Sequence, residues 1–414
     1  MKTILSTFRA RREPAGLPVR PGPGVLKGIA AMTGTLVLLS GCALSPRAAD
    51  YSADAPLELR YADYAPATAS GPLNEFAATL KAETEGRLTV EPYWGGSLLG
   101  SKDLPSGLRA GIADIGIFSA TQHASQYPVT NWMSSTASIG SKDFPEGVLQ
   151  TYAGFADFAY NSEEINKQFE DLGLKMLVPL HTILKYDLIC TSPVETLADA
   201  KGKRVRSGGP LWDGEIKAAG MIPVTLPVDE TYEGLQRGVV DCAIASPRTA
   251  MTYGFWETAK YYTEVPFTGI NSQYIVMNQS SWDSLSAEDQ DILWEAGHTW
   301  WFENLFQDAI QEYNRFFEVA GAEHGVAMME ADPGLTGAIT AYQQRVIDGL
   351  PRNAPPTVEQ PGEIIDEYIQ TSDHWLEMVK SMDLGNDPKN LDLSGYREIT
   401  KTNIWDKVDH EPSH

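Results

Sequence analysis

The chain has 414 residues, too many for one small domain, and 43% hydrophobic with 10% aromatic residues, a composition that builds cores and excludes intrinsic disorder. Its formal net charge is -23, and because residues 1–41 carry six basic side chains against one acid, the remainder stands at -28. Such a polyanion repels nucleic acid and anionic headgroups, so neither is expected as a direct ligand, and an anionic ligand would need a local cation to overcome that field.

Residues 1–41 read as an export signal: a basic region ending at Lys27, an apolar stretch Gly28 to Leu39, then small residues. Leu39-Ser40-Gly41-Cys42 resembles the lipobox of bacterial lipoproteins, which implies acylation of Cys42 and cleavage before it. A plain secretory signal is the other reading. No later segment is long and apolar enough to span a bilayer, so the protein is expected outside the cytoplasm, anchored by lipid to the outer face of the membrane. Cys190 and Cys242 remain, either as a disulfide or as two buried thiols.

Further along, Gly107 to Ser119 and Gly234 to Ser246 superpose at a constant offset of 127 as GLxxGxxDxxIxS. In each copy a helix ends at glycine, an Asp opens a short apolar strand and a Ser marks its exit. A strand and Gly-rich loop precede each copy, Arg87 to Trp94 with Gly95-Gly96, and Lys203 to Arg206 with Gly208-Gly209-Pro210. This βαβ logic predicts two open sheets with a ligand crevice at the strand ends, where Ser119 and Ser246 face each other.

Helix follows Asn278. Ser286-Ala287-Glu288-Asp289 reads as a capping box, and a helix to about Ala322 would span roughly 50 Å at about 1.5 Å per residue, long enough to cross both lobes. Its aromatic stripe reads as core, with no site assigned to it. Shorter helices are predicted near 335–349 and 361–381, and the segment after Leu384 reads as a surface-draped tail.

The stretch Lys201 to Asn278 resembles the solute-binding subunits of TRAP (tripartite ATP-independent periplasmic) transporters. The resemblance rests on Lys201-Gly202 through Arg206, Ala219-Gly220 with Pro223-Val224, and Glu230, Tyr232, Leu235-Gln236, Gly238 and Asp241. Tyr274 to Asn278 and Trp282 to Gln290 complete it. It covers most of residues 57–350 and implies an α/β, two-lobe, periplasmic-binding-protein-like clamshell with open β-sheets flanked by helices and a long helix spanning both lobes. The expected division is a signal over 1–41, a tether over 42–56, lobe I over 57–184 plus 266–306, lobe II over 185–265 plus 307–383, and a tail over 384–414.

The resemblance further implies that a strand-end Arg pairs with a solute carboxylate, a role matching Arg206, whose planar donor fork suits that partner. Ser119, Gln122, Ser246 and Asn278 are further ligand-binding candidates, as are Trp212 for stacking and Tyr64 at the cleft mouth. A second Arg found in some members is missing near Leu188, with Lys185 or Tyr186 only partly compensating. The implied ligand is therefore a small organic anion with one carboxylate. The implied partners are the TRAP small and large membrane subunits, energised by a sodium gradient, with the receptor acting as a monomer. An ATP-driven importer or sensory system is the alternative, and an extracellular enzyme a weaker one. GxSxG, SxxK, HExxH, CxxC and Walker patterns are missing after residue 42, and the seven histidines have no metal-ligand spacing, so neither catalysis, metal nor cofactor is expected.

Overall fold

The structure, a computed structural model, describes residues 56–410 apart from 142, 182, 271, 386 and 388. The expected export signal, Cys42 and residues 43–55 of the tether lie outside the described residues. Among the described residues no helix is long and apolar enough to cross a membrane.

The strands are β1 (Leu57–Ala62), β2 (Leu88–Tyr93), β3 (Ile115–Ser119), β4 (Leu174–Leu180), β5 (Ile183–Cys190), β6 (Arg204–Ser207), β7 (Ile222–Thr225), β8 (Cys242–Ala245), β9 (Tyr261–Ile270), β10 (Gln273–Asn278) and β11 (Ala327–Glu330). They form two sheets, in the orders β2-β1-β3-β10-β4 and β11-β9-β5-β8-β6-β7. In each sheet three strands are parallel, β2-β1-β3 and β7-β6-β8, as the repeat predicts. Both sheets are mixed, because β10 runs antiparallel to β3 and β5 antiparallel to β8. The chain changes sheet between Leu180 and Ile183 and returns between Ile270 and Gln273.

The two copies of the repeat fold alike down to individual hydrogen bonds. Helices Leu104–Arg109 and Thr231–Gln236 end at Gly111 and Gly238, with φ of 68° and 66°. The amides of Ile112 and Val239 donate to the carbonyls of Gly107 and Gly234, which closes each helix in the left-handed manner that glycine permits. Asp114 then accepts from the backbone N–H of Arg60 (2.9 Å) and from its guanidinium (3.0 Å), and Asp241 does the same for Arg204 (2.8 and 3.0 Å). Each Asp thus ties the strand after the helix to the central parallel strand. The structure corrects one alignment: the strand equivalent to β2 is β7, and β6 corresponds to β1, since a helix and a further strand separate β6 from the second copy.

Cys190 and Cys242 are paired as a disulfide, at opposed positions of β5 and β8. The capping Ser286 accepts from the amide of Asp289, and the helix it starts runs Ala287–Glu303, continues as π-helix Asn304–Gln311 and ends as α-helix Glu312–Val319. Its first part packs on Gly71–Glu83 and its last on Pro247–Thr252, so it touches both lobes.

Two parts of the C-terminal region differ from the expected division. Helix Pro361–Lys380 packs along Glu146–Asn161 in the first lobe, with Gln150 donating to Ser372 (2.9 Å) and Trp375 to Asp157 (2.8 Å). The segment after Leu384 does more than drape: Tyr396 and Trp405 are buried, Trp405 against Trp301 and Tyr160, and Tyr396 donates to the carbonyl of Leu149. Leu393 and Ile404 are buried beside them, so these aromatic and aliphatic anchors seat an otherwise polar segment.

Candidate functional site

One cavity of about 110 Å³ lies between the lobes and is lined from three sides. The first lobe contributes the ends of β1 and β3, which deliver Asp63, Tyr64, Ser119 and Gln122. The second contributes Arg206 from β6, Trp212 from the helix Pro210–Ala218, and Ser246 and Arg248 from the exit of β8. The long helix presents Trp300, Asn304 and Asp308, spaced by four residues down one face, the latter two on its π-helical stretch. Strand ends meet in the crevice because parallel strands all point their carboxyl termini the same way.

The lobes touch across the mouth of this cavity. Ser101 Oγ donates to Asp229 Oδ1 (2.9 Å), and Lys102 Nζ pairs with Glu230 Oε1 (2.6 Å). At Gly209 a Cβ would stand 2.4 Å from the Thr121 carbonyl oxygen, so only glycine allows this approach of the two backbones. The two lobes are thus in direct contact beside the cavity.

Arg206 is 3% exposed, and its Nε donates to the Leu226 carbonyl (2.8 Å). Among the described residues no carboxylate comes within ion-pair distance of it. Burial pushes its guanidinium below the usual range, and the Tyr186, Tyr64 and Tyr253 phenols and Asp229 oppose that only in part. Arg248 is differently placed: its Nη2 pairs with Asp308 Oδ2 at 2.8 Å. The cavity therefore does contain a second Arg, near Ser246 rather than near Leu188, but a protein carboxylate already holds it. Lys185 is engaged by Asp187 and Glu264.

Two acids complete the electrostatics. Asp63 is 6% exposed; Tyr61 Oη donates to its Oδ2 and the Ala65 amide to its Oδ1, both at 2.7 Å. Burial pushes its carboxyl up to about 6. Burial pushes Asp308 up to about 6 as well, with Arg248 opposing. A buried carboxylate next to water-excluding walls is disfavoured in its charged form unless a cation meets it.

Six of the seven expected ligand-binding residues line this cavity: Arg206, Ser119, Gln122, Trp212, Ser246 and Tyr64. Asn278 does not. Its side chain caps the helix Gln279–Asp283 by accepting from the Ser281 amide (3.0 Å) and donates to the Leu108 carbonyl (2.8 Å). Trp212 is a fixed wall, 1% exposed, with its indole N–H on the Thr268 carbonyl (2.8 Å) and its ring 5.2 Å from Tyr186. Ser246 caps the helix Pro247–Thr252 and aims that helix's first turn, with Arg248, inward. Sequence reasoning missed Asp63, Arg248, Trp300, Asn304 and Asp308. Asp63 sits just beyond a strand end as Arg206 does at one, and the period-four spacing of Trp300, Asn304 and Asp308 is visible in the sequence once that helix is known to cross the cleft.

Comparison with known proteins places the fold and the family. The family of bacterial extracellular solute-binding proteins, family 7, matches residues 66–348. The 2,3-diketo-L-gulonate-binding periplasmic protein of Escherichia coli is 23% identical over 220 residues, 53% of this chain. The chain spans 64% of the length of that protein and of a solute-binding protein from Albidiferax ferrireducens. A marine-metagenome TRAP solute-binding protein in complex with pyroglutamate superposes with a TM-score of 0.65 at 21% identity, covering 76% of this chain and 99% of that one. Another, in complex with 3-hydroxybenzoate, gives 0.67 at 16% identity, covering 78% and 99%. The two-lobe fold is thus that of TRAP solute receptors, and the chain belongs to family 7 of the bacterial extracellular solute-binding proteins.

Proposed function

We propose that this protein is the solute receptor of a TRAP-type secondary transporter, that it captures a small organic acid in the interlobe cavity, and that it delivers this solute to the small and large membrane subunits. The observation that carries the reading is Arg206: a buried guanidinium at a strand end, facing that cavity, with no carboxylate of the protein in ion-pair contact among the described residues. A buried charge is costly until an opposite charge meets it, so the site is poised for a carboxylate. The cavity measures about 110 Å³. The similar proteins above bind a sugar acid, pyroglutamate and a hydroxybenzoate. Ser119, Gln122, Ser246 and Tyr64 line the space around that carboxylate, and Trp212 forms one wall. Cys42, after the apolar stretch of the signal, carries the lipid that holds the receptor at the outer face of the membrane, where it acts as a monomer.

The test is a thermal-shift screen of the purified protein against monocarboxylates, dicarboxylates, sugar acids, aromatic acids and neutral sugars. A concentration-dependent rise with acids supports the reading, because a ligand that binds only the folded state adds stability by mass action. A rise with neutral sugars and silence from every acid overturns it.

A further inference from the structure

The cavity contains a second buried charge that the protein does not pair, and its sign is opposite to that of Arg206. Asp63 lines the same cavity at the end of β1. Hydrogen bonds from the Tyr61 hydroxyl and the Ala65 amide fix the carboxylate, the Tyr64 amide also favours its charged form, and its lone pairs still leave acceptor capacity. Among the described residues no Lys, Arg or His stands within ion-pair distance of it. Arg248 influences it electrostatically, but the guanidinium is bonded to Asp308. On the other side, Asp229 is the acid whose charge reaches Arg206, and it is taken up by Ser101 at the cleft mouth. Tyr64 lines the same cavity and lies within electrostatic range of both Asp63 and Arg206.

We infer that the cavity selects a zwitterion: a small acid whose carboxylate meets Arg206 and whose positively charged nitrogen meets Asp63. This rests on the reading of Arg206 as the carboxylate anchor. A simple carboxylate would compensate Arg206 and leave Asp63 buried without a cation as the lobes close. A neutral solute would compensate neither. A solute carrying both charges compensates both poles at once, and the Arg248–Asp308 pair adds no net charge between them. Asp63 is then the specificity-determining residue of the first lobe, as Arg206 is the anchor in the second.

Isothermal titration of the full protein with matched pairs tests this: L-proline against cyclopentanecarboxylate, 4-aminobutyrate against butyrate, and 3-(aminomethyl)benzoate against 3-methylbenzoate. Within every pair that binds, the amino acid is expected to bind on the order of tenfold tighter or more, the range of a close charge pair in an interface. In Asp63→Asn that preference should collapse to about one, the amino acid losing affinity and the acid lacking nitrogen keeping or gaining it as the uncompensated charge is removed, and in Arg206→Ala both members of a pair should weaken together. A nitrogen-free acid that binds the wild type as tightly as its partner overturns the inference, as does an Asp63→Asn protein that keeps the preference. If Asp63→Asn does not fold, the ratio in the wild type decides alone. Arg206-dependent binding of acids without preference for nitrogen sinks this inference and leaves the receptor reading standing. Failure of both members of every pair sinks the two together.

Discussion

Arg248 and Asp308 form an ion pair, 2.8 Å from Nη2 to Oδ2, that joins the second lobe to the π-helical stretch of the long helix inside the ligand cavity. This pair decides which of the two cavity arginines is available. Arg248 is paired by Asp308, while Arg206 has no protein carboxylate within ion-pair distance among the described residues.

Removing Arg206 should remove the carboxylate anchor. Arg206→Ala is expected to weaken binding of the cognate acid by on the order of 2–5 kcal/mol, the cost of leaving a desolvated charge without its partner. Arg206→Lys should recover only part of this, because an ammonium cannot reproduce the planar fork. Titration calorimetry reads both, and unchanged affinity in a folded Arg206→Ala protein would move the anchor elsewhere.

Asp308→Asn should release Arg248 into the cavity. The variant is expected to gain affinity for dicarboxylates relative to monocarboxylates. Its stability loss should fall below the about 3–5 kcal/mol of a fully buried pair, because the Arg248 side chain retains 30% exposure. A dicarboxylate-to-monocarboxylate affinity ratio equal to that of the wild type would mean that Arg248 does not face the solute.

Asp63 gives the ligand-free protein an unusual response to acid. Its folded carboxyl is pushed up to about 6 from an ordinary value of 3.8, so between those values the folded state binds a proton that the unfolded state does not. Above pH 6 it is charged in both states and burial makes it destabilising; as pH falls from 6 towards 3.8 that penalty is lifted. Asp63→Asn should therefore be more stable than the wild type at pH 7.5, by up to about 2–3 kcal/mol, with the difference vanishing near pH 4. Melting temperatures of the two proteins across this range measure it, and a pH-independent difference would count against the ionised, buried state of Asp63.

Gly209 tests closure. Gly209→Ala places a methyl where the Thr121 carbonyl now sits, so the lobes cannot reach the observed contact. Affinity should drop on the order of tenfold or more as the binding-competent closed population shrinks. Small-angle scattering with saturating ligand should show a larger radius of gyration than for the wild type. Wild-type compaction in this variant would contradict the role assigned to the contact.

Trp405→Ala addresses the C-terminal segment. Loss of this 1%-exposed ring from between Tyr160 and Trp301 should cost about 3–5 kcal/mol. Trp405 does not line the cavity, so solute affinity at a temperature where the variant stays folded should be unchanged. A matching loss of affinity would tie the segment to binding.

Much of the architecture is legible in the chain because repeats and caps are local. The GLxxGxxDxxIxS copies encode a helix stop, a strand start and the Asp that ties two strands, all within thirteen residues. Arg206 could be singled out because its motif sets it at a strand end. Asp63 and Asp308 could not, since among 55 acidic residues nothing local tells which two lose their water. Their significance comes from what the fold places opposite them. Arg248 was hidden for the same reason, and the boundary of the second lobe because helix Pro361–Lys380 crosses back to pack on a partner about two hundred residues earlier.

The paired ties Asp114–Arg60 and Asp241–Arg204 have a kinetic consequence. Each fastens the start of one parallel strand to its neighbour without drawing on the opposite lobe, so each sheet holds its own strand register whatever the other lobe does. A solute meeting one wall would then find its strands already in place, which lowers the ordering cost of that first contact. In the proposed receptor, encounter and capture would then be separate events, the first paced by diffusion and the second by the swing of the other wall, with the dwell time of the bound state set by how often that wall swings back.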